Sequence, residues 1–186
     1  PQTMKFITKI TPVLILLAFA AINAPGVKAF EPDLSSEIQL DVKRAILQIR
    51  NRDPSVQKFF DNSAGYAIFP NVGKGGFMIG GAYGRGLVIV NEQVDGDTSV
   101  SQLSIGAQIG GQKYSLYIFF KDQVALERFK RENFEFSAQA SAVAVTSGAA
   151  ATTSYDNGVA VFTISDGGLM AEASIGGQRF TYESRN

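Results

Sequence analysis

The stretch Ala64-Gly65-Tyr66-Ala67-Ile68-Phe69-Pro70-Asn71-Val72-Gly73-Lys74-Gly75-Gly76-Phe77 marks a change of hydrophobic period along this chain. Upstream of it, Ile38, Val42, Ala45, Ile46 and Ile49 recur at helical spacing. They fall within about 100° of arc, one buried face of a helix that Asp33 or Ser36 can cap. Asp53-Pro54 ends that helix and opens a shorter one through Phe59-Phe60, because the residue before a proline disfavours the α conformation while proline suits a first helical position. From Ala64 onward the chain reads as short β-prone runs punctuated by glycine.

Those runs predict the following order. Ala64 to Phe69 is a strand that stops at Pro70. Gly76 to Ala82 and Gly86 to Val90 form a pair joined through Tyr83-Gly84-Arg85, and Asp95-Gly96-Asp97 is a turn signal. Gln102 to Gly110 and Tyr114 to Phe120 are two further strands. The second is nearly continuous in apolar residues, as expected of a strand covered on both faces. Asp122 caps a helix from Gln123 to Arg131 that presents Val124, Leu126 and Phe129. Asn133 to Thr146 alternates with period two and sets Ala138, Ala140, Ala142 and Ala144 in a row, predicting one long strand with a small-residue face that another layer can approach. Ser147-Gly148-Ala149-Ala150-Ala151 continues the small-residue theme. Val159 to Ser165 and Leu169 to Tyr182 complete the β set, divided by Asp166-Gly167-Gly168. The fold class expected is α+β, a single domain. Its N-terminal helices (30–63) pack on a glycine-rich, mainly antiparallel, strongly curved sheet or partial barrel (64–186).

Composition narrows the chemistry. The 186 residues hold 17 Lys+Arg against 17 Asp+Glu, 19 Gly and 14 Phe, with no His, Cys or Trp. At 45% hydrophobic and 18% charged the chain is too apolar for disorder, and zero net charge supplies no footprint for nucleic acid. Without His or Cys there is no Ser-His-Asp or Cys-His nucleophile, no Cys/His zinc site, no thiol redox centre and no disulfide. The carboxylates show no convergent spacing, so the reading is no enzyme, no metal and no cofactor. Asn71 to Phe77 resembles a phosphate loop only superficially, since the glycine spacing of a Walker A motif and its Ser/Thr after Lys are both absent. A glycine-rich turn can still aim N–H groups at an anion, with Lys74 adding charge.

Residues 1–29 read as a secretory signal. Lys5 and Lys9 give a basic start, Val13 to Ile22 an apolar run, and Pro25-Gly26 a break before Val27-Lys28-Ala29, with Pro1 to Thr3 lying upstream of Met4 as an initiator. The ten-residue run is short of the roughly 20 that a membrane-spanning helix needs. Cleavage after Ala29 would remove Lys5, Lys9 and Lys28 and leave 14 bases against 17 acids, a net charge of −3. The expectation is an exported protein, periplasmic or secreted, that associates peripherally with a membrane.

Two patterns leave alternatives open. Leu40 and Leu47 lie on a second stripe of the first helix beside Lys43 and Arg50. That stripe fits either a helix packed on two sides or a membrane-facing helix, and Glu37 and Asp41 dilute its basic character. Ile109-Gly110-Gly111-Gln112-Lys113-Tyr114 is echoed by Ile175-Gly176-Gly177-Gln178-Arg179-Phe180. The echo fits two glycine bends of a curved sheet, or equivalent placement of Lys113 and Arg179 against an anion.

The 64–77 stretch, followed by Gly80-Gly81, Gly84-Arg85-Gly86, Ile105 to Gln112, Ala125 to Phe129 and Gly167 to Gly177, resembles the SYLF domain, a lipid-binding family that also includes yeast actin-patch proteins. The resemblance covers roughly residues 34 to 186. In place of the longer, Trp-containing segment usual between the second and third glycine-rich blocks, this chain has only Val94 to Ser101. Eukaryotic members bind phosphoinositides, partly through a basic amphipathic N-terminal helix, and some bind actin. An exported protein would meet neither, so what the resemblance implies here is affinity for anionic phospholipid or a membrane surface. Lys74, Arg85, Lys113 and Arg179 are the candidate headgroup residues, and Leu40, Lys43, Leu47 and Arg50 the candidate membrane-facing helix. The other reading is a structural or protein-interaction module of the cell envelope, with an envelope protein as partner.

Overall fold

The computed structural model describes residues 29–73, 81–103, 113–131, 134–137, 139–165 and 172–185. Helix α1 (Glu37–Arg52) buries Val42, Ala45, Ile46 and Ile49, the face its periodicity predicts, with Ile38 packed at the edge. Ser36 stands at its N-cap but makes no side-chain cap. Asp53 leaves the helix in extended conformation, Pro54–Val56 form a 3₁₀ turn, and α2 (Gln57–Asn62) brings Phe59 and Phe60 to the core. Strand β1 (Gly65–Gly73) does not stop at Pro70. Its pairing shifts register between Ile68 and Asn71, and such a bulge tolerates a residue that lacks an N–H.

Strand β2 (Gly81–Val90) runs unbroken through Tyr83-Gly84-Arg85, and β3 (Gln93–Leu103) runs through Asp95-Gly96-Asp97, so neither predicted turn forms. The hairpin turns instead at Asn91 and Glu92, whose φ values of 50° and 63° match a two-residue turn with both central residues left-handed. Tyr66 holds that turn by donating its hydroxyl to Glu92 Oε2 at 2.9 Å. Asp95 is the extra residue where β3 bulges against β2.

Strand β4 (Tyr114–Phe120) is buried at every position, as its apolar run predicts. Helix α3 (Gln123–Lys130) is capped by Asp122, whose Oδ1 accepts the Ala125 N–H at 2.9 Å. It buries Ala125, Leu126 and Phe129, whereas Val124 faces solvent.

The long strand expected over 133–146 is interrupted. β5 (Phe134–Glu135) and β6 (Ser141–Ala144) are separated by a turn in which Ala140 N–H bonds Ser137 C=O. The Ala149–Thr152 segment is a single helical turn, α4, which the small-residue pattern does not announce. After β7 (Val159–Ser165), the expected run from Leu169 is likewise divided into β8 (Glu172–Ser174) and β9 (Gln178–Ser184), with Gly177 at φ 75° in the bend. The 166–168 turn, and the parts of the predicted strands over 76–80 and 104–110, lie outside the described residues.

The nine strands lie in the order β5-β9-β3-β2-β1-β4-β7-β6-β8, and every pair is antiparallel except β6–β7. The two ends of this order belong to the same two chain segments, because β5 leads into β6 and β8 into β9. Bonds from Phe136 N–H to Gln178 C=O, from Gly177 N–H to Phe136 C=O and from Ile175 N–H to Ala140 C=O continue the pairing between them. The sheet therefore curls round on itself toward a barrel, confirming the α+β class.

Two apolar cores follow from the pleat. Alternate residues of one parity, among them Ala67, Phe69, Val88, Leu116, Ile118 and Phe180, fill the inside and are joined by Leu126 and Phe129 of α3. The opposite parity, Tyr66, Ile68, Leu87, Ile89, Tyr117 and Phe119, packs outward under α1, α2 and α4. Phe59, Phe60, Phe119 and Phe162 make a chain of ring contacts with centroids 4.9–5.9 Å apart. Each such buried aromatic or aliphatic side chain contributes roughly 1.5–3 kcal/mol. Tyr117 ties sheet to helix by donating its hydroxyl to Ala45 C=O at 3.0 Å.

Candidate functional site

The helices cover only part of the outer face. Beyond them, at the Tyr83–Arg85 end of β2 and on β3 and β9, the outward parity is polar, and Ser99 and Thr181 share a hydroxyl hydrogen bond of 2.7 Å there. Cross-strand register aligns Gly73 of β1 with Tyr83 of β2, Tyr83 with Ser101 of β3, Ser101 with Arg179 of β9, and Arg179 with Glu135 of β5. Lys113 adjoins the other end of this row, since Val72 pairs with Tyr114 and a Cβ on Gly73 would lie 3.2 Å from Lys113 Cγ. Arg85 is two residues along β2 from Tyr83, on the same face, opposite Ser99.

The predicted headgroup residues Arg85, Lys113 and Arg179 therefore share one outer surface, and Lys74 lies outside the described residues. Strand spacing of about 4.8 Å puts Lys113 about 10 Å from Tyr83, and a two-residue step puts Arg85 about 7 Å from it. Arg85 and Lys113 are exposed and make no ion pair among the described residues, with the exposed Tyr83 between them. Arg179 sits two strands further, about 10 Å beyond Tyr83. Its Nε is held by Glu135 Oε2 at 3.1 Å. The farther end of the face is also self-paired, Arg185 bridging both carboxylate oxygens of Asp97 at 2.6 and 2.8 Å.

On α1 the four stripe residues have separate environments. Lys43 donates to Phe30 C=O at 2.6 Å and lies 3.4 Å from Glu31 Oε1, so it pins the segment that leads into the helix. The Arg50 guanidinium lies 4.3 Å over the Phe60 ring, with its Nε buried and without a hydrogen-bond acceptor among the described residues. Leu40 is half-buried, and Leu47 is 48% exposed. No helix among the described residues is long and apolar enough to cross a membrane.

Tyr83 sits at a groove of about 470 Å³ between the first turn of α1 and strands β1 and β2, walled by Ser36, Glu37, Asp41, Asn71 and Arg85. Tyr83, Glu37 and Asn71 are absent from the residues expected from sequence. Reading Tyr83-Gly84-Arg85 as a connection hid the strand alternation that places Tyr83 and Arg85 on one face. A second cavity, of about 600 Å³, opens between the β5–β6 bend and the start of β7, and is lined by Phe134, Phe136, Val143, Val159 and Val161 with Arg128 at its rim. Arg128 is already engaged, donating to Asn157 C=O.

The echoed glycine motif has a structural role in its second copy. Gly177 makes the bend, and Gln178, fully buried, donates Nε2 to Tyr114 OH at 2.9 Å and to Gln102 Oε1 at 3.3 Å. Burial pushes the Tyr114 hydroxyl up to about 12, opposed by the bond from Gln178. The first copy, except Lys113 and Tyr114, lies outside the described residues. No group of three carboxylates gathers as a metal site among the described residues.

The fold and its polar outer end define a small curled-sheet domain with N-terminal helices and a mixed-charge outer face. Residues 101–185 match the family described as Ysc84, the Las17-binding protein actin regulator. The chain is also 30% identical over 138 residues to beta cell expansion factor A of Aeromonas veronii, a match covering 73% of this chain and 52% of that protein. The chain thus spans about half the length of that relative. It belongs to the Ysc84, or SYLF, family.

Proposed function

We propose that this domain is a non-enzymatic module that binds anionic phospholipid at a membrane face outside the cytoplasm. The observation that carries this reading is the placement of two exposed cations, Arg85 and Lys113, neither held in an ion pair among the described residues, on one outer surface within reach of the exposed Tyr83. Lys74 directly follows Gly73 in sequence. Cations beside an amphipathic ring suit a headgroup layer, where the charges meet phosphates and the ring lies at the boundary. With a net charge of −3 for residues 30–186, attraction is local to this end rather than a property of the whole surface.

The test is flotation of residues 30–186 with neutral and with anionic vesicles, at low salt and at about 150 mM, where the Debye length is roughly 8 Å. Binding is expected to be stronger with anionic than with neutral lipid and to weaken with salt. Charge reversal at Lys74, Arg85, Lys113 and Arg179 should abolish it. Flotation that survives all four reversals would overturn this surface, and absence of binding under every condition would favour an envelope protein as partner.

A further inference from the structure

We infer that the groove beside α1 holds a phosphoammonium zwitterion, the headgroup chemistry of phosphatidylethanolamine or phosphatidylcholine, with phosphate on Arg85 and ammonium between Glu37 and Tyr83. For the source of that ligand the inference rests on the membrane reading. The groove brings opposite charges to facing walls, with Arg85 on β2 and Glu37 and Asp41 on α1. Asp41 is engaged by Arg44 Nη1 at 2.6 Å, and Asp97, the carboxylate on β3 within electrostatic reach of Arg85, is held by Arg185, so Glu37 and Arg85 are in no ion pair among the described residues. A simple anion would be drawn by Arg85 and repelled by the two acids, while a simple cation would meet the reverse. A ligand carrying both charges satisfies both walls.

The side chains also match the two ends of such a ligand. A guanidinium presents a planar fork of donors to phosphate, and the Ser36 hydroxyl and Asn71 amide add neutral donors on the same groove. An alkylammonium is held by a carboxylate and by the face of an aromatic ring, and Tyr83, 41% exposed, can supply that face. Tyr83 and Arg85 are alternate residues of one strand face, about 7 Å apart, within the reach of a headgroup whose charges are separated by two carbons.

The experiment is an NMR titration of the isotope-labelled full chain with phosphoethanolamine, phosphocholine and glycerol 3-phosphate, followed by vesicle flotation with and without the soluble headgroup. Both zwitterions are expected to shift the Glu37, Tyr83 and Arg85 resonances, and to bind about fivefold tighter than glycerol 3-phosphate. Glu37→Gln should erase that preference, and Arg85→Gln should weaken all three ligands; both positions are exposed, and an unchanged amide spectrum reports an intact fold. Glycerol 3-phosphate binding as tightly as phosphoethanolamine, or no groove shift with any ligand, would overturn the zwitterion site. Flotation on anionic vesicles alongside a silent groove would leave the membrane reading standing without this site. A responsive groove without flotation would keep the site and assign it to a free phosphoammonium compound. Competition of phosphoethanolamine with flotation would assign it to the lipid headgroup.

Discussion

Asp53 offers the sharpest test of how the helical layer is fixed to the barrel. Its carboxylate is buried, with 1% of the residue exposed, and it forms no ion pair among the described residues. Oδ1 accepts the Ser55 N–H at 3.1 Å and the Ser55 hydroxyl at 2.6 Å, while Oδ2 accepts the Ala150 N–H at 2.7 Å. Asp53→Asn keeps the shape and leaves an oxygen for Ser55, but sets an NH₂ group against the Ala150 N–H. Ala150 is itself buried, so water cannot replace the lost acceptor. A hydrogen bond to a charged group contributes about 1.5–3 kcal/mol, and an orphaned buried donor costs about 1–3 kcal/mol, so a loss of about 3 kcal/mol is expected. For a domain of this size that corresponds to a fall in Tm of about 6–12 °C. Urea and thermal unfolding followed by far-UV circular dichroism measure it, since the chain has no Trp.

Acid titration adds a second readout. Burial disfavours the Asp53 charge, but the bonds from Ser55, Ala150 and Gly148 outweigh it and hold the carboxyl below its ordinary range. A carboxyl depressed in the folded state stabilises the fold above its unfolded value, about 3.9, and loses that contribution as pH falls through the folded value. The gap between parent and Asp53→Asn should therefore be full near neutrality and close in strong acid. A loss below about 1 kcal/mol at pH 7, or a gap that widens in acid, would refute the reasoning.

Two further perturbations probe the barrel itself. Gly86→Ala would place a Cβ 2.7 Å from Phe69 Cδ1 and against the backbone of the neighbouring strand, so overpacking should cost about 1–3 kcal/mol or more; an unchanged urea midpoint would count against the described register. Asp95 Oδ2 receives Lys130 Nζ at 2.7 Å and the Tyr182 hydroxyl at 2.6 Å, which links α3 to β3 and β9. Burial opposes its charge, but Lys130 and Tyr182 prevail and lower its pKa, so its contribution is present at neutral pH and disappears in acid. Asp95→Asn should lose about 1 kcal/mol at pH 7, discounted for partial exposure, and next to nothing at pH 2; equal losses at both would contradict an ionic latch.

The helical half of the fold was legible because local signals and tertiary packing agree. Ile38 to Ile49 has one apolar face and that face is buried, Asp53-Pro54 breaks where proline demands it, and Asp122 caps where a helix needs an acceptor. The glycine-rich half was legible in strand content but not in connection. Asp95-Gly96-Asp97 carries the composition of a turn, yet the turn falls at Asn91-Glu92, where Tyr66 from another strand anchors Glu92. The 133–146 alternation suits a strand, yet it breaks at Ser137–Ala140 where the sheet's two ends meet. Of the proposed binding surface, Arg85, Lys113 and Arg179 were visible as bases beside glycine, whereas Tyr83 and Glu37 were not, because their proximity joins a strand to a helix far apart in sequence.

From sequence alone came the α+β class, the family resemblance, the buried face of α1, the doubly covered β4 and the absence of His and Cys chemistry. Those follow from residue identity and from periodicity within single segments. Tertiary structure alone decided which bases are held in pairs and which, among the described residues, are not. Arg179 is paired because curling brings Glu135 of β5 beside β9, and Lys43 is committed to Phe30 C=O. Arg85 faces Glu37 because α1 lies across β1 and β2. The physical reason is that charge pairing depends on distances of a few ångströms between segments, and only the packed sheet sets those distances.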